Sequence, residues 1–440
     1  MNVIKTRAVI PVALITAFLA LLFLRDIIGV GVPNIVFTVL WLLIIVLCEK
    51  PVSAAFTVSA VICFASTLSI TIPSAAFIVW ILFNRKTLKI HTVFFVSLYI
   101  IIEELIRVCL VSSDNFKQYT NSMVVLLLVC IITEELYENR LSDEKILKFY
   151  VLFFGFLSFD IIWATAKSLG GLSEIVTGTF RIGHISQYDE TVVGLMSMNA
   201  NGIALMTMVA ISSLMLMISK GRIKKRFAIP LIVYFSFVGF LTISKTFLLV
   251  YVGFWVLYSL WYVKKNGKNI FKPLALFAVI GILTAAVWNT ELVQNVVSRF
   301  DSEDITTGRV DVIFEYLSYM ANNTKALFVG IGLQNITDKT SIIRVPHNAI
   351  LEIFVCFGIV GILAYAAFFI ALIRSAIKHS KKTNEKNIFI NFIPFIVFFV
   401  FIQSLQFLRI NYIYASIAIV YACMLMTQKR KKSLSETELP

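Results

Sequence analysis

Charge is what this chain has least of. Only 15% of its 440 residues are Asp, Glu, Lys or Arg, against about 25% in a soluble domain. Hydrophobic residues make up 59% and the mean hydropathy is +0.88, a balance that excludes a soluble globular fold. Cysteine is equally uninformative as a framework. The six, Cys48, Cys63, Cys109, Cys130, Cys356 and Cys423, lie in or beside apolar runs and form no Cys-x-x-Cys pair, so they read as small packing residues. There is no P-loop, His-Glu-x-x-His, Gly-x-Ser-x-Gly or Rossmann fingerprint, which leaves nucleotide chemistry without a home. Internal repeats, low-complexity tracts and a separate soluble domain are also lacking.

Long apolar runs are what is there. A helix of about 20 residues spans the hydrocarbon core. Breaks at charged or turn-rich positions divide the chain into about 14 candidate transmembrane helices, near 8–24, 27–48, 51–68, 70–84, 90–111, 122–137, 146–166, 192–218, 227–243, 246–263, 273–290, 347–373, 388–407 and 411–427. The expectation is an all-α polytopic membrane protein in which residues 1–440 form one integral membrane domain. The N-terminal run resembles a signal peptide but shows no small-x-small cleavage site, and reads as a retained first helix.

Lys and Arg concentrate on the cytoplasmic side of membrane proteins. With both termini cytoplasmic, the inward segments carry 27 of the 39 Lys and Arg residues and the outward ones 10. The net charge of +14 then reflects topology and lipid headgroups, and no nucleic-acid partner is implied.

Two outward segments are long for tight helix connections: residues 167–191 and residues 291–346. Long loops in compact proteins usually carry function. The larger contains "GRVDVIFEYLSYMANN", where Val310, Ile313, Phe314 and Leu317 recur at helical spacing. That pattern predicts an amphipathic helix, lying along the outer interface or folded over the bundle.

The candidate chemistry gathers around these loops. Arg309 opens the amphipathic segment, and its planar fork suits phosphate oxygens. Arg181, Arg299 and Arg344 are further outward arginines able to converge on an anion. His347 stands where the large loop re-enters the membrane. A neutral imidazole there accepts a hydroxyl proton, although a lone interfacial histidine is more often a hydrogen-bonding or packing residue. Asn348 beside it is placed to orient a sugar hydroxyl, with Glu352 one turn on, and His184 in the shorter loop competes with His347. Lys245, at an outward helix–helix turn, faces headgroups or a pyrophosphate. Glu103, Glu104 and Arg107 read as an internal ion pair, Asp160 as a candidate proton site, and the acidic run 301–304 as a solvated loop, so no metal site is expected.

The ordered set "MSMNANGIALM", "LTISKTFLLV", "TGRVDVIFEYL", "LFVGIGLQN" and "HNAILEIFVCFGIVG", over about residues 190–365, resembles the O-antigen polymerase and O-antigen ligase superfamily of bacterial membrane glycosyltransferases. That likeness implies a bacterial inner-membrane enzyme without cofactor or metal. Its donor would be an undecaprenyl-pyrophosphate-linked oligosaccharide at the outer face, with a flippase and a chain-length regulator as partners. It makes His347 and Arg309 catalytic, with Arg181, Lys245, Arg344, Asn348 and Arg299 binding substrate. Relatives often have Ser-Arg where this chain has Ser244-Lys245. Some polymerases also follow the loop arginine by ten residues and then Gly, where Val192 and Met320 stand here. The alternatives are a ligase that moves finished glycan to another acceptor and, from another class, a lipid-linked oligosaccharide flippase.

Overall fold

The computed structural model describes residues 2–65, 67–85, 92–110, 116–169, 171, 173, 181–183, 198–266, 289–298, 309–332, 342, 345–385, 387–408 and 410–428. Every regular element among them is helical: α1 (Asn2–Phe23, closed by a π-turn Leu24–Ile28), α2 (Asn34–Leu47), α3 (Lys50–Phe64), α4 (Thr71–Phe83), α5 (Thr92–Leu110), α6 (Phe116–Tyr137), α7 (Asp143–Leu169), α8 (Ala200–Ser219), α9 (Lys225–Leu241), α10 (Lys245–Asn266), α11 (Glu291–Ser298), α12 (Arg309–Asn322), α13 (Thr324–Val329), α14 (Ala349–Lys382), α15 (Ile388–Ile402) and α16 (Asn411–Leu425). Six of these are long and apolar enough to cross a membrane: parts of α1, α6, α7, α8, α10 and α14. The expected helix at 273–290 lies outside the described residues.

Side chains sort as they do in a lipid-facing bundle. α16 and α8 sit at the centre, and from Tyr412 to Leu425 every residue of α16 is buried. α16 packs on α3, α6, α7, α8, α14 and α15. The outer flanks carry apolar residues as well, with Val39, Val46, Val233, Leu249 and Leu363 exposed. A soluble protein keeps such patches small. Here apolar flanks surround an apolar core, the arrangement of a multi-pass membrane protein.

Polar contacts mark the two ends of the bundle differently. At one end, charged groups lock the connections together. Glu135, at the close of α6, is fully buried and receives Lys50 from the start of α3, Arg85 after α4 (2.9 Å) and Arg140 (3.2 Å). Arg222 in the α8–α9 turn pairs with Glu144 of α7 (3.2 Å) and donates to the Thr427 carbonyl after α16 (3.0 Å). Lys220 pairs with Glu385 between α14 and α15 (3.0 Å). At the other end Arg25 pairs with Asp26 (2.6 Å) and reaches Asn34 (3.0 Å), alongside contacts between neutral groups. Thr71 bonds Asn121, Ser122 bonds Asn411 (3.1 Å), and the Ile182 N–H donates to the Leu241 carbonyl (3.1 Å). The segments carrying most of the basic residues therefore share one end, as their spacing in sequence predicts.

Several boundaries differ from the hydropathy pattern. The second apolar run begins only at Asn34, because Gly29 (φ +88°) ends the preceding π-turn and Pro33 opens the next helix. α15 stops at Ile402 although apolar residues continue to 407. α14 runs on to Lys382 but breaks at Gly358. Removing one partner of a buried ion pair costs about 3–5 kcal/mol. Glu135→Ala should therefore lower the thermal unfolding midpoint in detergent clearly. Glu49→Ala, whose contact to Lys145 is exposed and 3.8 Å long, should leave the midpoint in place.

Candidate functional site

The break in α14 shapes the end opposite the basic one. Gly358 takes φ +66°, ψ −159°, a conformation open to glycine and strained for other residues. A helix broken there frees the Val355 and Cys356 carbonyls from their usual partners one turn on. These carbonyls instead accept the N–H groups of Ile331 (3.0 Å) and Gly332 (2.9 Å). Gly330, at φ +71°, lies directly on the Cys356 and Phe357 backbone, and Gly358 on that of Phe328 and Val329. A Cβ on either would overlap main chain. The Gly-x-Gly of the loop and the first glycine of the Gly-x-x-Gly thus form one backbone-to-backbone junction, which pins α13 and the preceding α12 to α14.

Above the junction stands the turn that carries His347. Asn348 caps α14: its Oδ1 accepts the Leu351 N–H (3.0 Å), and its Nδ2 donates to the Gln403 carbonyl (3.3 Å). One turn on, Glu352 is 1% exposed, and its carboxylate accepts the Phe407 and Leu408 N–H groups (3.2 Å to the latter). A carboxylate in the first helical turn also meets the positive end of the helix dipole. Together Asn348 and Glu352 tie the α15–α16 connection to the His347 turn. α15 ends early beside them: the Gln403 carbonyl and the Phe407 and Leu408 N–H groups meet these side chains instead of continuing a helix. Both polar ends of the Asn348 amide are engaged, so the residue expected to orient a sugar hydroxyl has a structural task here.

Arg309 is the first residue of α12 and is half-buried. His347 is exposed, yet crowding by neighbouring protein lowers its pKa below the ordinary imidazole value, and the positive charge of Arg309 lowers it further. Burial also draws the Arg309 guanidinium down from its usual value. The two residues therefore share one electrostatic neighbourhood.

The face that α12 presents to the protein is not the apolar stripe read from the sequence. Tyr316 and Met320 are buried, and Val312, Ile313 and Tyr319 pack beside the core. Val310, Phe314 and Leu317 are 41%, 66% and 42% exposed. Of the predicted stripe only Ile313 turns inward. The helix folds over the bundle while offering an apolar outer flank.

The segments that carry Arg181 and Lys245 approach each other at a neighbouring corner of the same end. Ile182, next to Arg181, is bonded to Leu241, and Gly183 (φ +81°) packs on the Met198 carbonyl and Ile203. Ser244, before Lys245, caps α10 and donates to the Asn201 side chain (2.7 Å). Asn199 caps α8 through the Asn201 N–H (2.9 Å), and the Tyr412 hydroxyl lies against Gly202. Asn199, Asn201, Ser244 and Tyr412 are the residues that sequence reasoning did not single out. The Asn-Ala-Asn at a helix start was their available signal.

Arg299, Arg344, His184 and the 301–304 run lie outside the described residues, as do the side chains of Glu104 and Arg107. Asp160 is fully buried, and neither of its oxygens meets a donor among the described residues. Among those residues no three His, Cys, Asp or Glu side chains gather to hold a metal ion.

The glycine junction generates a direct test. Gly358→Ala forces a left-handed φ on alanine, a cost of about 1–3 kcal/mol before any clash. It should yield less monodisperse protein on size exclusion than Gly31→Ala, where a Cβ meets nothing within 4 Å. Compared with protein-family models and with curated proteins, the chain finds no match in either.

Proposed function

We propose that this protein is a membrane glycosyltransferase that joins lipid-pyrophosphate-linked oligosaccharide repeats into a longer surface glycan. In this reading the chain crosses the bacterial cytoplasmic membrane about 14 times, with both termini inside. The basic end of the bundle faces the cytoplasm, as the charge rule predicts, and loops 167–191 and 291–346 face outward. The observation that supports the reading is that Arg309 opens α12 close enough for its charge to act on His347, at the turn that opens α14.

The chemistry needs few parts. An acceptor sugar hydroxyl attacks the anomeric carbon of the donor, a new C–O bond forms, and the bond from that carbon to the pyrophosphate oxygen breaks with inversion. The leaving polyprenyl pyrophosphate takes the bonding pair. His347 accepts the hydroxyl proton, and Arg309 offsets the charge that grows on the pyrophosphate. Arg181 and Lys245, on segments at the adjoining corner, would neutralise the rest of the diphosphate. The exposed apolar flank of α12, with Phe314 outermost, suits contact with the lipid that carries the donor.

A ligase that moves a finished glycan onto another acceptor shares all of these groups and differs only in the acceptor. A flippase is disfavoured by the two long outward loops, since it needs no chemistry outside the membrane. Purified protein given a defined lipid-pyrophosphate oligosaccharide should produce a ladder of longer glycans. A single transfer to a foreign acceptor would indicate a ligase, and no covalent product would remove the enzyme reading.

His347→Ala should reduce the turnover about 10²–10⁴-fold, and Arg309→Ala about 10²–10³-fold, both with protein retained in the membrane. Arg309→Lys keeps the charge but loses the planar fork and should fall between wild type and Arg309→Ala. The base must be unprotonated, and its pKa sits below the ordinary imidazole value. Activity should therefore hold as pH falls to about 6.5 and decline only below that. An acid limb centred above that value would count against His347 as the base.

A further inference from the structure

A cavity of about 420 Å³ opens at the basic end of the bundle, between α6, α14 and α16, far along the chain from the His347 turn and at the opposite end. Its size falls within the range of small-molecule sites. The walls change character along one face of α14. Ala367, Ile370 and Ala371 form the apolar part, and Arg374 and Lys378 follow one and two turns on. Tyr137 and Tyr421 close the back, and the Tyr421 hydroxyl is held by Ser375 at 2.7 Å.

Charge decides what fits. Arg374 and Lys378 are both exposed, and neither pairs with an acid among the described residues. Side chains four apart on a helix lie about 5–6 Å apart at their Cβ atoms, a spacing that brackets one phosphate. The single acid in the lining, Glu134, is 4% exposed and already paired with Arg85 at 3.3 Å. Its neighbour Glu135 is held by Arg85, Arg140 and Lys50. The cavity therefore presents two uncommitted cations to whatever enters.

Depth decides the source of the phosphate. Glu134 lies three residues before the end of α6 and Tyr421 four before the end of α16. At 1.5 Å per residue, that is about 5–6 Å from the helix ends, where hydrocarbon gives way to headgroups. Ile370, 45% exposed, marks a mouth on the lipid-facing flank of α14. We propose that this cavity binds an anionic membrane phospholipid, its phosphate between Arg374 and Lys378 and an acyl chain along Ala367, Ile370 and Ala371. Basic pockets between transmembrane helices are suited to such headgroups. The bound lipid would brace α14 against α6 and α16. The assignment is independent of the proposed chemistry at the other end.

The test uses the full chain in detergent, titrated with phosphatidylglycerol or phosphatidylcholine and followed by native mass spectrometry. Inorganic phosphate serves as a competitor. Wild type should retain phosphatidylglycerol over phosphatidylcholine. The double variant Arg374→Gln/Lys378→Gln removes two exposed cations without breaking an ion pair seen among the described residues. It should lose retention by on the order of tenfold or more, from near-surface charges worth about fivefold each. Ile370→Trp fills the apolar part, leaves both cations and should also lose the lipid. Equal retention of the two lipids, or phosphatidylglycerol binding unchanged in both variants, overturns the assignment. Displacement by inorganic phosphate, with Ile370→Trp binding as wild type, would show a soluble-anion site and equally overturn it.

Discussion

Backbone hydrogen bonding inside an apolar surround is the constraint on which this structure turns. With little water to satisfy freed N–H and C=O groups, a helix interrupted within a membrane bundle needs protein partners at the break. Here the break at Gly358 is met by the backbone of Ile331 and Gly332. The close approach is possible only because Gly330 and Gly358 lack side chains. That junction is more than a repair. It holds α13 on α14, and with it the end of α12 that leads into α13.

The same economy governs the turn above it. Asn348 and Glu352 spend their polar atoms on capping α14 and on the backbone between α15 and α16. Buried polar groups are tolerated when fully engaged, and a carboxylate accepting two N–H groups is well engaged. The scaffold around His347 is thus built from hydrogen bonds to main chain, with His347 exposed and Arg309 half-buried. Rigid support beneath a few polar side chains is the arrangement that preorganised chemistry requires.

The two ends of the bundle divide their labour by charge. The basic end is stitched by Glu135, Glu144 and Glu385, each paired with cations from other connections. The other end is closed by Asn, Ser, Thr and Tyr contacts. Opposite-charge clusters tolerate burial poorly unless every member is paired, and at the basic end the acids are covered from several sides. At the other end Arg25 pairs with Asp26 beside the start of α2, alongside those contacts between neutral groups.

Composition and periodicity by themselves determined that the chain is helical, apolar and threaded back and forth through a bundle, and the spacing of Lys and Arg determined which connections share an end. The motifs around Gly330, His347 and Arg309 were legible as letters. Their physical meaning was not, because a glycine's role depends on which backbone it touches, and Gly330 meets a partner 26–27 residues away. Tertiary structure alone decided that α15 stops at Ile402, with Glu352 of another helix meeting the backbone of Phe407 and Leu408 beyond it. It also decided that Phe314 and Val310 point away from the core while Tyr316 and Met320 point in. Hydropathy could not choose between those faces. In a lipid-facing protein both sides of a helix contact apolar surroundings, so the pattern that separates inside from outside in water loses its contrast.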